Sequence, residues 1–161
     1  MPLLPTDFAD LPRFPTLSRR LRLGVVGGGR IAGTQAIAAR LSDRWDVVAG
    51  ALSSRPQAAQ EKAAEFYIDP TRAYTSMEAM AQAEAARDDG VDAVMITTPN
   101  HLHYAAAQAF LDVGIPVLCD KPLTNDMDEA LGLIAMAERS EQVFGVSYVM
   151  SCYPMVRQAR A

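Results

Sequence analysis

The sequence predicts an α/β protein with a doubly wound parallel sheet, and three observations support this fold class. An apolar run at residues 21–26 leads directly into the glycine turn GGGRIA at 27–32, which matches G-x-G-x-x-[GA]. A helical apolar pattern follows that turn. Further apolar runs then alternate with segments of helical periodicity. Strands joined by helices in this way form right-handed βαβ units in a parallel sheet covered on both faces.

The first half of the chain supplies three predicted strands and three predicted helices. The strand at 21–26 precedes a helix whose apolar pattern comprises Ile31, Ala32, Ile37, Ala38 and Leu41. A second buried strand spans 45–52, a helix spans 55–66, and residues 73–74 make at most a short strand. Thr75-Ser76-Met77-Glu78 matches a capping box, in which the Thr75 hydroxyl accepts a backbone N–H and Glu78 reaches back. The apolar positions of the helix that begins there are Met77, Met80, Ala81 and Ala85.

The second half continues the alternation. Strands are predicted at 91–97, 116–119 and 143–148, with helices at about 104–113 and 126–140. In the last of these helices the 3.6-residue period turns Leu131, Ile134 and Ala137 inward. Another helix begins beyond Pro154.

The chain divides into three predicted segments. Residues 1–20 form an extended arm, because prolines at 2, 5, 12 and 15 forbid a helix there. The apolar side chains of the arm are expected to pack on this domain or on another subunit. Residues 21–150 form one dinucleotide-binding domain. Residues 151–161 are expected to begin the connection to a second domain that is absent from the chain.

Composition excludes several classes of function. The 161 residues carry a net charge of −4, so the chain lacks the basic surface that nucleic acid requires. No apolar run approaches the roughly 18 residues of a membrane-spanning helix, and the proline-rich start is unlike a signal peptide. The two cysteines, Cys119 and Cys152, are expected to be buried reduced thiols, which indicates the cytoplasm. The early arginines 13, 19, 20 and 22 are expected to form a solvated edge.

The glycine turn has residue types that suit phosphate binding. Gly27 permits the turn out of the strand, Gly29 lets the backbone approach a pyrophosphate, and the small Ala32 lets helix pack on strand. The phosphates would lie on the free N–H groups and positive dipole end of the following helix.

Ser53-Ser54-Arg55 follows the second strand, about 20 residues beyond the glycine turn. An NAD-preferring site places an acidic residue there to hold the ribose 2′-hydroxyl, and none is present. Two hydroxyls and a guanidinium suit a 2′-phosphate, so the sequence favours NADP over NAD. The alternative is that Ser54 caps the next helix and Arg55 is solvated.

The turn after the third long strand reads Thr97-Thr98-Pro99-Asn100 and is followed by His101 and His103. Pro99 fixes a rigid turn, and Asn100 can cap the following helix. The two histidines are the only ones in the chain. No cysteine or third ligand accompanies them, so no metal site is predicted. One interpretation is that a histidine here forms hydrogen bonds or titrates. The alternative is that neither histidine has a role.

Cys119-Asp120-Lys121-Pro122 ends the next strand. The ammonium of Lys121 is placed to anchor a cofactor ribose or a substrate oxygen, and Asp120 is expected to orient it. The alternative is an ordinary strand-end turn.

These motifs together resemble the amino-terminal half of the Gfo/Idh/MocA oxidoreductase family. The resemblance covers Leu21 to about Arg160 and is carried by GVVGGGRIAG, TPNHLHYAAAQAFLDVGIPVLCDKP and VFGVSYVMSCYPMVRQAR. It implies a pyrophosphate site at Gly27, Gly29, Arg30 and Ile31. It also implies that Thr98, Pro99 and Asn100 line the nicotinamide.

The same resemblance assigns Asp120, Lys121 and Pro122 to a motif whose lysine lies near the nicotinamide ribose and substrate, and whose proline often follows a cis bond. Asp120 stands where the family usually has Glu. Members of the family carry a second, largely β-sheet domain with the substrate cleft, catalytic residues and oligomer face, and this chain has none of it.

Two functions are expected from this resemblance. In the first, the chain is the cofactor domain of an NAD(P)-dependent oxidoreductase that moves a hydride between a sugar or cyclitol and nicotinamide. Lys121 and His103 are its candidate catalytic residues, and the chain is not expected to be active alone. The alternative is a stand-alone, non-catalytic dinucleotide-binding sensor or interaction module. In either case exposed apolar surface is expected to produce a homo-oligomer.

Overall fold

The computed structural model describes residues 17–159, and its strands form one parallel sheet. The strands are β1 (Leu21–Val26), β2 (Trp45–Ala51), β3 (Ala73–Tyr74), β4 (Ala93–Ile96), β5 (Val117–Asp120) and β6 (Phe144–Ser147). The helices are α1 (Arg30–Leu41), α2 (Pro56–Glu65), α3 (Met77–Ala85), α4 (His103–Leu111), α5 (Met127–Ser140) and α6 (Pro154–Ala159). The predicted fold class is confirmed. Most of the predicted arm, residues 1–16, lies outside the part of the chain that the structure describes.

The strand order β3-β2-β1-β4-β5-β6 places β1 at the centre of the sheet. Each neighbouring pair is parallel. After β1 the chain moves outward to β2 and β3, and it then returns to the opposite side of β1 with β4. This reversal makes a crevice at the carboxyl ends of β1 and β4, which is where doubly wound sheets bind ligands.

Two apolar cores lie on opposite faces of the sheet. On one face, α1 and α2 pack through alanines and Phe66 onto β1, β2 and Met95 of β4. On the other face, α3, α4 and α5 pack onto β1, β2, β4 and β5. Successive residues of β1 show the alternation, because Val25 belongs to the first core and Val26 to the second.

A buried ion pair fixes α3 to the sheet edge. Arg72 and Glu84 are 7% and 2% exposed, and the guanidinium donates to both carboxylate oxygens. The same carboxylate accepts from the Tyr74 hydroxyl at 2.8 Å and from the backbone N–H of Val91 at 3.2 Å. Burial and the Glu84 contact raise the pKa of Tyr74 to about 12. Glu84 therefore joins β3, α3 and the segment that leads into β4.

The arginines near the start of the domain are paired with acids, and Arg19 and Arg20 are also half exposed, as expected for a solvated edge. Arg19 donates twice to the Asp92 carboxylate, each time at 2.7 Å, and Arg22 donates its backbone N–H to it at 2.6 Å. Arg20 pairs with Asp43 and Asp46. These contacts tie the amino end of β1 to the residue before β4 and to the start of β2. Arg13 lies outside the described residues.

Two helices differ in detail from the sequence prediction. In α5 the buried residues are Leu133 and Met136, whereas Leu131 and Ile134 are 57% and 50% exposed. The segment LGLIAMA is apolar on several sides of a helix, so periodicity alone did not identify the face that packs on α4.

The cap of α3 is also displaced by one residue. Ser76 is the N-cap, and its hydroxyl accepts the backbone N–H of Ala79 at 3.1 Å. The predicted cap was Thr75. Since the helix begins at Met77, Thr75 lies one residue too early to face an unpaired N–H of the first turn.

Candidate functional site

The glycine turn leaves the central strand at the point where the strand order reverses. The backbone N–H of Gly27 donates to Ala51 of β2 at 2.9 Å, and that of Thr97 donates to Val26 of β1 at 2.8 Å. The Thr97 hydroxyl also donates to Val26, at 3.0 Å. The turns that follow β1 and β4 are therefore joined side by side at the crevice.

Two of the glycines are required by the protein itself. Gly27 has φ of +102°, and a Cβ there would lie 2.8 Å from the backbone of Thr97. A Cβ on Gly28 would lie 2.2 Å from the carbonyl oxygen of Leu52. The glycine turn thus passes between the ends of β2 and β4 at a distance that no side chain permits.

Gly29 is different, because nothing in the protein requires a glycine there. Its φ is −84°, and a Cβ at this position would meet no atom within 4 Å. Gly29 is the N-cap of α1, and no side chain caps this helix. Gly29, Arg30 and Ile31 are exposed, so the uncapped first turn of α1 lies at the surface, as an anion site at a helix N-terminus requires.

The predicted packing role of Ala32 is confirmed. Ala32 is fully buried in the core that α1 forms with β1 and β2. A larger side chain at this position would separate the helix from the sheet and move the first turn of α1.

A cleft of about 380 Å³ opens beside the glycine turn. It collects predicted residues from three strand ends: Gly27, Ser53, Ser54, Thr98 and Pro99. Another wall is formed by Thr75 and Ser76 of the loop between β3 and α3 and by Met77 and Glu78 of the first turn of α3. The walls combine backbone and hydroxyl groups with apolar carbon, as nucleoside sites commonly do.

Thr98 contributes a buried hydroxyl without a partner. Its Oγ1 atom is buried and has no hydrogen-bond partner among the described residues. Its residue lines the cleft beside Pro99 and Leu102. Buried polar atoms are normally paired, so an orphan at a cleft wall is consistent with a ligand that completes the site.

The Ser53-Ser54-Arg55 turn leaves Ser54 and Arg55 accessible. Ser53 accepts the backbone N–H of Arg55 at 3.2 Å, and α2 begins at Pro56 with no side-chain cap. Ser54 therefore does not cap the helix, which was the alternative interpretation of this residue. Arg55 is exposed and lines a depression next to the turn.

Asn100 also does not act as a cap. It begins a 3₁₀ turn over Asn100–Leu102, and α4 follows at His103 without a side-chain cap. Its side chain is exposed on the rim beside the cleft residue Pro99.

The loop after β5 carries Asp120, Lys121 and Pro122, and the Lys121–Pro122 peptide bond is cis. Asp120 accepts a long 3.4 Å hydrogen bond from the Gln35 amide of α1. No ion pair joins Asp120 to Lys121 within residues 17–159, so the expectation that Asp120 orients the lysine is not met. Successive strand residues point to opposite faces, and Asp120 is directed toward α1. Lys121 is exposed.

His103 lies beneath the site and not in it. The residue is 1% exposed, and its two ring nitrogens face the backbone carbonyls of Pro122 and Thr98. Neither nitrogen is left for a substrate. The structure therefore does not support His103 as a catalytic residue, whereas the exposed Lys121 keeps its accessible ammonium.

Within the described part of the chain, no three His, Cys, Asp or Glu side chains are grouped to hold a metal ion. Nor does any helix there have the length and apolarity to cross a membrane. Cys119 is a buried free thiol, and burial raises its pKa to about 12. The side chain of Cys152 lies outside the described set.

Comparison with known proteins agrees with this geometry. The model of the Gfo/Idh/MocA family, described as an oxidoreductase family with an NAD-binding Rossmann fold, matches residues 21–148. The chain belongs to this family. The match begins with β1 and ends just after β6, so it contains every strand-end loop of the candidate site.

Three relatives illustrate how much of a Gfo/Idh/MocA protein the chain represents. The uncharacterized oxidoreductase YfiI of Bacillus subtilis is 33% identical over 90% of this chain and 38% of its own length. An oxidoreductase from Sinorhizobium meliloti is 49% identical, with a TM-score of 0.84 over 88% of this chain and 40% of that one. An inositol dehydrogenase homolog from Azotobacter vinelandii, complexed with NADH and myo-inositol, is 33% identical with a TM-score of 0.84. This match covers 89% of the present chain and 38% of the Azotobacter vinelandii chain. The chain thus spans about two-fifths of the length of these proteins.

Two parts of this Gfo/Idh/MocA site were not predicted from the sequence. The first is the wall formed by residues 75–78, for which the sequence predicts only a helix start. The short β3 places them at the carboxyl edge of the sheet next to β2. Treating β3 as a full strand would have identified this loop as a site segment.

The second is Lys62 of α2, whose ammonium donates to the carbonyl oxygen of Gly28 at 2.7 Å. It ties α2 to the glycine turn and brings a positive charge close to the predicted phosphate site. In the sequence Lys62 is an ordinary polar position of an alanine-rich helix, and no local signal marks it.

Proposed function

We propose that this chain is the cofactor-binding domain of an NAD(P)-dependent dehydrogenase acting on the CH–OH group of a sugar or cyclitol. The observation that carries the proposal is the open space above Gly29, next to the uncapped start of α1 and at the reversal of strand order. The relative from Azotobacter vinelandii, with NADH and myo-inositol, supports the substrate class.

The roles of the chain's residues follow from their positions. The N–H groups at Arg30 and Ile31 donate to the pyrophosphate, and Gly29 lets it approach them. Thr98, Pro99 and Asn100 bound the nicotinamide end of the site, and Thr98 supplies the unpaired hydroxyl. When bound, the nicotinamide accepts or returns the hydride.

Lys121 is the proposed catalytic residue of this domain. Its ammonium lies in the loop after β5, which β5 places beside the turn after β4. In that position its ammonium would donate a hydrogen bond to a ribose or substrate oxygen. It would give a proton to the substrate oxygen when the carbonyl is reduced, and as the neutral amine it would take that proton when the alcohol is oxidised. Asp120 and Pro122 shape the loop that presents it.

We propose a preference for NADP over NAD. Ser53 and Ser54 line the cleft, and Arg55 is exposed beside them. No carboxylate occupies this turn itself, and the acids that line the cleft and the depression, Glu78 and Glu61, lie on α3 and α2. Ser54 is not used as a helix cap, which leaves its hydroxyl available.

We also propose that the protein resides in the cytoplasm and self-associates. The buried free thiol of Cys119 suits a reducing compartment. Large apolar side chains of α1 and Leu118 of β5 remain exposed on the same face of the sheet, which favours contact between copies.

The first test is a thermal-shift titration with NAD⁺, NADP⁺, NADH and NADPH. The native chain is expected to gain thermal stability with cofactor, by about 2.7 kcal/mol at a concentration of 100 Kd, and more with the NADP forms at equal concentration. In Gly29→Val the added side chain fills the space above the turn, so this gain is expected to disappear.

The matched control is Gly33→Ala in α1, where a Cβ also meets no atom within 4 Å. It should keep the full cofactor response. The readout is the cofactor-dependent shift and not Tm itself, because valine is a poorer N-cap than glycine. A native chain that responds to none of the four nucleotides would contradict the proposal.

A further inference from the structure

A buried imidazole joins two loops of the candidate site. The Nδ1 atom of His103 lies 2.8 Å from the carbonyl oxygen of Pro122, and its Nε2 atom lies 3.0 Å from that of Thr98. Thr98 belongs to the turn after β4, and Pro122 belongs to the loop after β5. The ring at the start of α4 is therefore the link between the two segments.

The chemistry of this link depends on protons. A carbonyl oxygen only accepts hydrogen bonds, a neutral imidazole has one N–H to donate, and an imidazolium has two. In the neutral ring one nitrogen lone pair would face a carbonyl oxygen at a distance of 3.0 Å or less. His103 is 1% exposed, so water does not relieve that contact.

The titratable neighbours of His103 leave its two contacts undisturbed. Those on its own segment, on the adjoining loops and on the helices packed against α4 are His101, Tyr104, Asp112, Cys119, Asp120, Lys121, Glu78 and Glu84 of α3, and Asp128, Glu129, Glu138 and Arg139 of α5. Within residues 17–159 none of them is hydrogen-bonded to the ring. The Asp120 carboxylate accepts from Gln35, and the Cys119 thiol is buried beneath α4 and α5.

We propose that His103 is a positioning residue that acts through its protonation state. As imidazolium it donates to Thr98 and Pro122 together and holds the turn after β4 against the loop after β5. When the ring loses its proton, one of these bonds is lost and the two loops separate. This inference rests on the proposed function, because it makes the same two loops the ones that bind the dinucleotide.

The consequence is a pH dependence of cofactor affinity. Protonation adds one of the two bonds, so affinity is highest when the ring is charged and falls as rising pH deprotonates it. The loss of one buried hydrogen bond to a charged donor corresponds to about a tenfold decrease in affinity.

The first experiment is long-range ¹H–¹⁵N NMR of the histidine rings in the cofactor-free chain. The chain has only His101 and His103, and His101→Gln assigns the two spectra. In acid, both nitrogens of His103 should be protonated while it keeps its hydrogen-bonded shifts. A ring that stays a single neutral tautomer at every pH where the chain is folded would overturn the proposal.

The second experiment measures NAD⁺ and NADP⁺ affinity across the same pH range by calorimetry, and the pH test is made on NAD⁺, because the 2′-phosphate of NADP⁺ itself titrates at about pH 6. The native chain and the control His101→Gln, whose altered side chain is exposed, should lose affinity about tenfold as His103 deprotonates. In His103→Gln the new side chain has no group that titrates in this range, so the affinity of this variant should be independent of pH. A pH dependence that survives in His103→Gln would overturn the proposal.

The two experiments separate this inference from the proposed function. If the native chain binds neither nucleotide at any pH, the proposed function fails. In that case the NMR spectra still decide whether both ring nitrogens of His103 are protonated and donate hydrogen bonds.

Discussion

At the scale of single residues, the three adjacent glycines of the turn are glycine for different physical reasons. Gly27 and Gly28 are required by contacts with the ends of β4 and β2. Gly29 has an ordinary φ and free space around its Cα, so the protein itself does not need it. A ligand that approaches the backbone is a physical reason for glycine at such a position.

Asp92 is the residue for which a stability prediction is sharpest. The Arg19 guanidinium, with support from Arg22, holds the pKa of this carboxyl well below its usual range. Asp92→Asn is expected to lower the free energy of unfolding by about 1–3 kcal/mol at pH 7. A depressed pKa contributes stability above the unfolded value of about 3.9 and loses it as pH falls through the folded value.

Urea unfolding at a series of pH values checks this. The native chain and Asp92→Asn should converge in strong acid. The control is Asp46→Asn, since Asp46 is half exposed and pairs with Arg20 at 3.4 Å. That change should cost less than about 1 kcal/mol. Equal losses of unfolding free energy in the two variants would contradict the prediction that Asp92 contributes more to stability than Asp46.

At the scale of elements, the loop before α3 has two roles in the structure. Its Ser76 hydroxyl caps the helix, and its residues form a wall of the cleft together with the first turn of α3. The buried Arg72–Glu84 pair fixes the same helix from its other end. The position of this wall therefore depends on a cap and an ion pair that both lie outside the motifs by which the family is recognised.

A pair of alanine variants tests the position of the cap. Ser76→Ala removes the hydroxyl that accepts the N–H of Ala79 and should cost about 1 kcal/mol of unfolding free energy. Thr75→Ala, the neighbouring change, should cost little, because Thr75 is not the N-cap. Chemical unfolding at neutral pH measures both. The reverse order of the two costs would restore Thr75 as the cap.

At the scale of the whole molecule, the two faces of the sheet are covered to different extents. α3, α4 and α5 cover one face as far as β5, whereas α1 and α2 cover the other face only over β1, β2 and the adjoining residues of β4. Leu118 of β5 points to the less covered face and is 40% exposed between two buried neighbours. Parallel sheets are normally covered on both faces, so this surface favours association.

Sedimentation velocity over a range of protein concentrations tests that association. The native chain is expected to self-associate as concentration rises. Leu118→Lys places a charge on the less covered face and should shift the chain toward monomer. Leu131→Lys, on the outer face of α5, is the control and should leave the association unchanged. A native chain that is monomeric at every concentration would exclude self-association.

Much of this protein was determined by local sequence. The strands β1, β2 and β5, the glycine turn and the helix starts near Arg30, Pro56 and Met127 follow from apolar runs, glycine and proline. These signals act within a few residues, so they can be recognised along the chain without knowledge of the partners. The conformation of the glycine turn and the packing role of Ala32 were predicted for the same reason.

The tertiary structure decided what depends on residues far apart in the chain. It chose Leu133 and Met136 as the buried face of α5, it placed Lys62 on the carbonyl of Gly28, and it directed Asp120 toward Gln35. It also turned His103 from a candidate catalyst into a buried link between two loops. A side chain's partner is set by the packing of whole elements, and a pattern along one element does not contain that information.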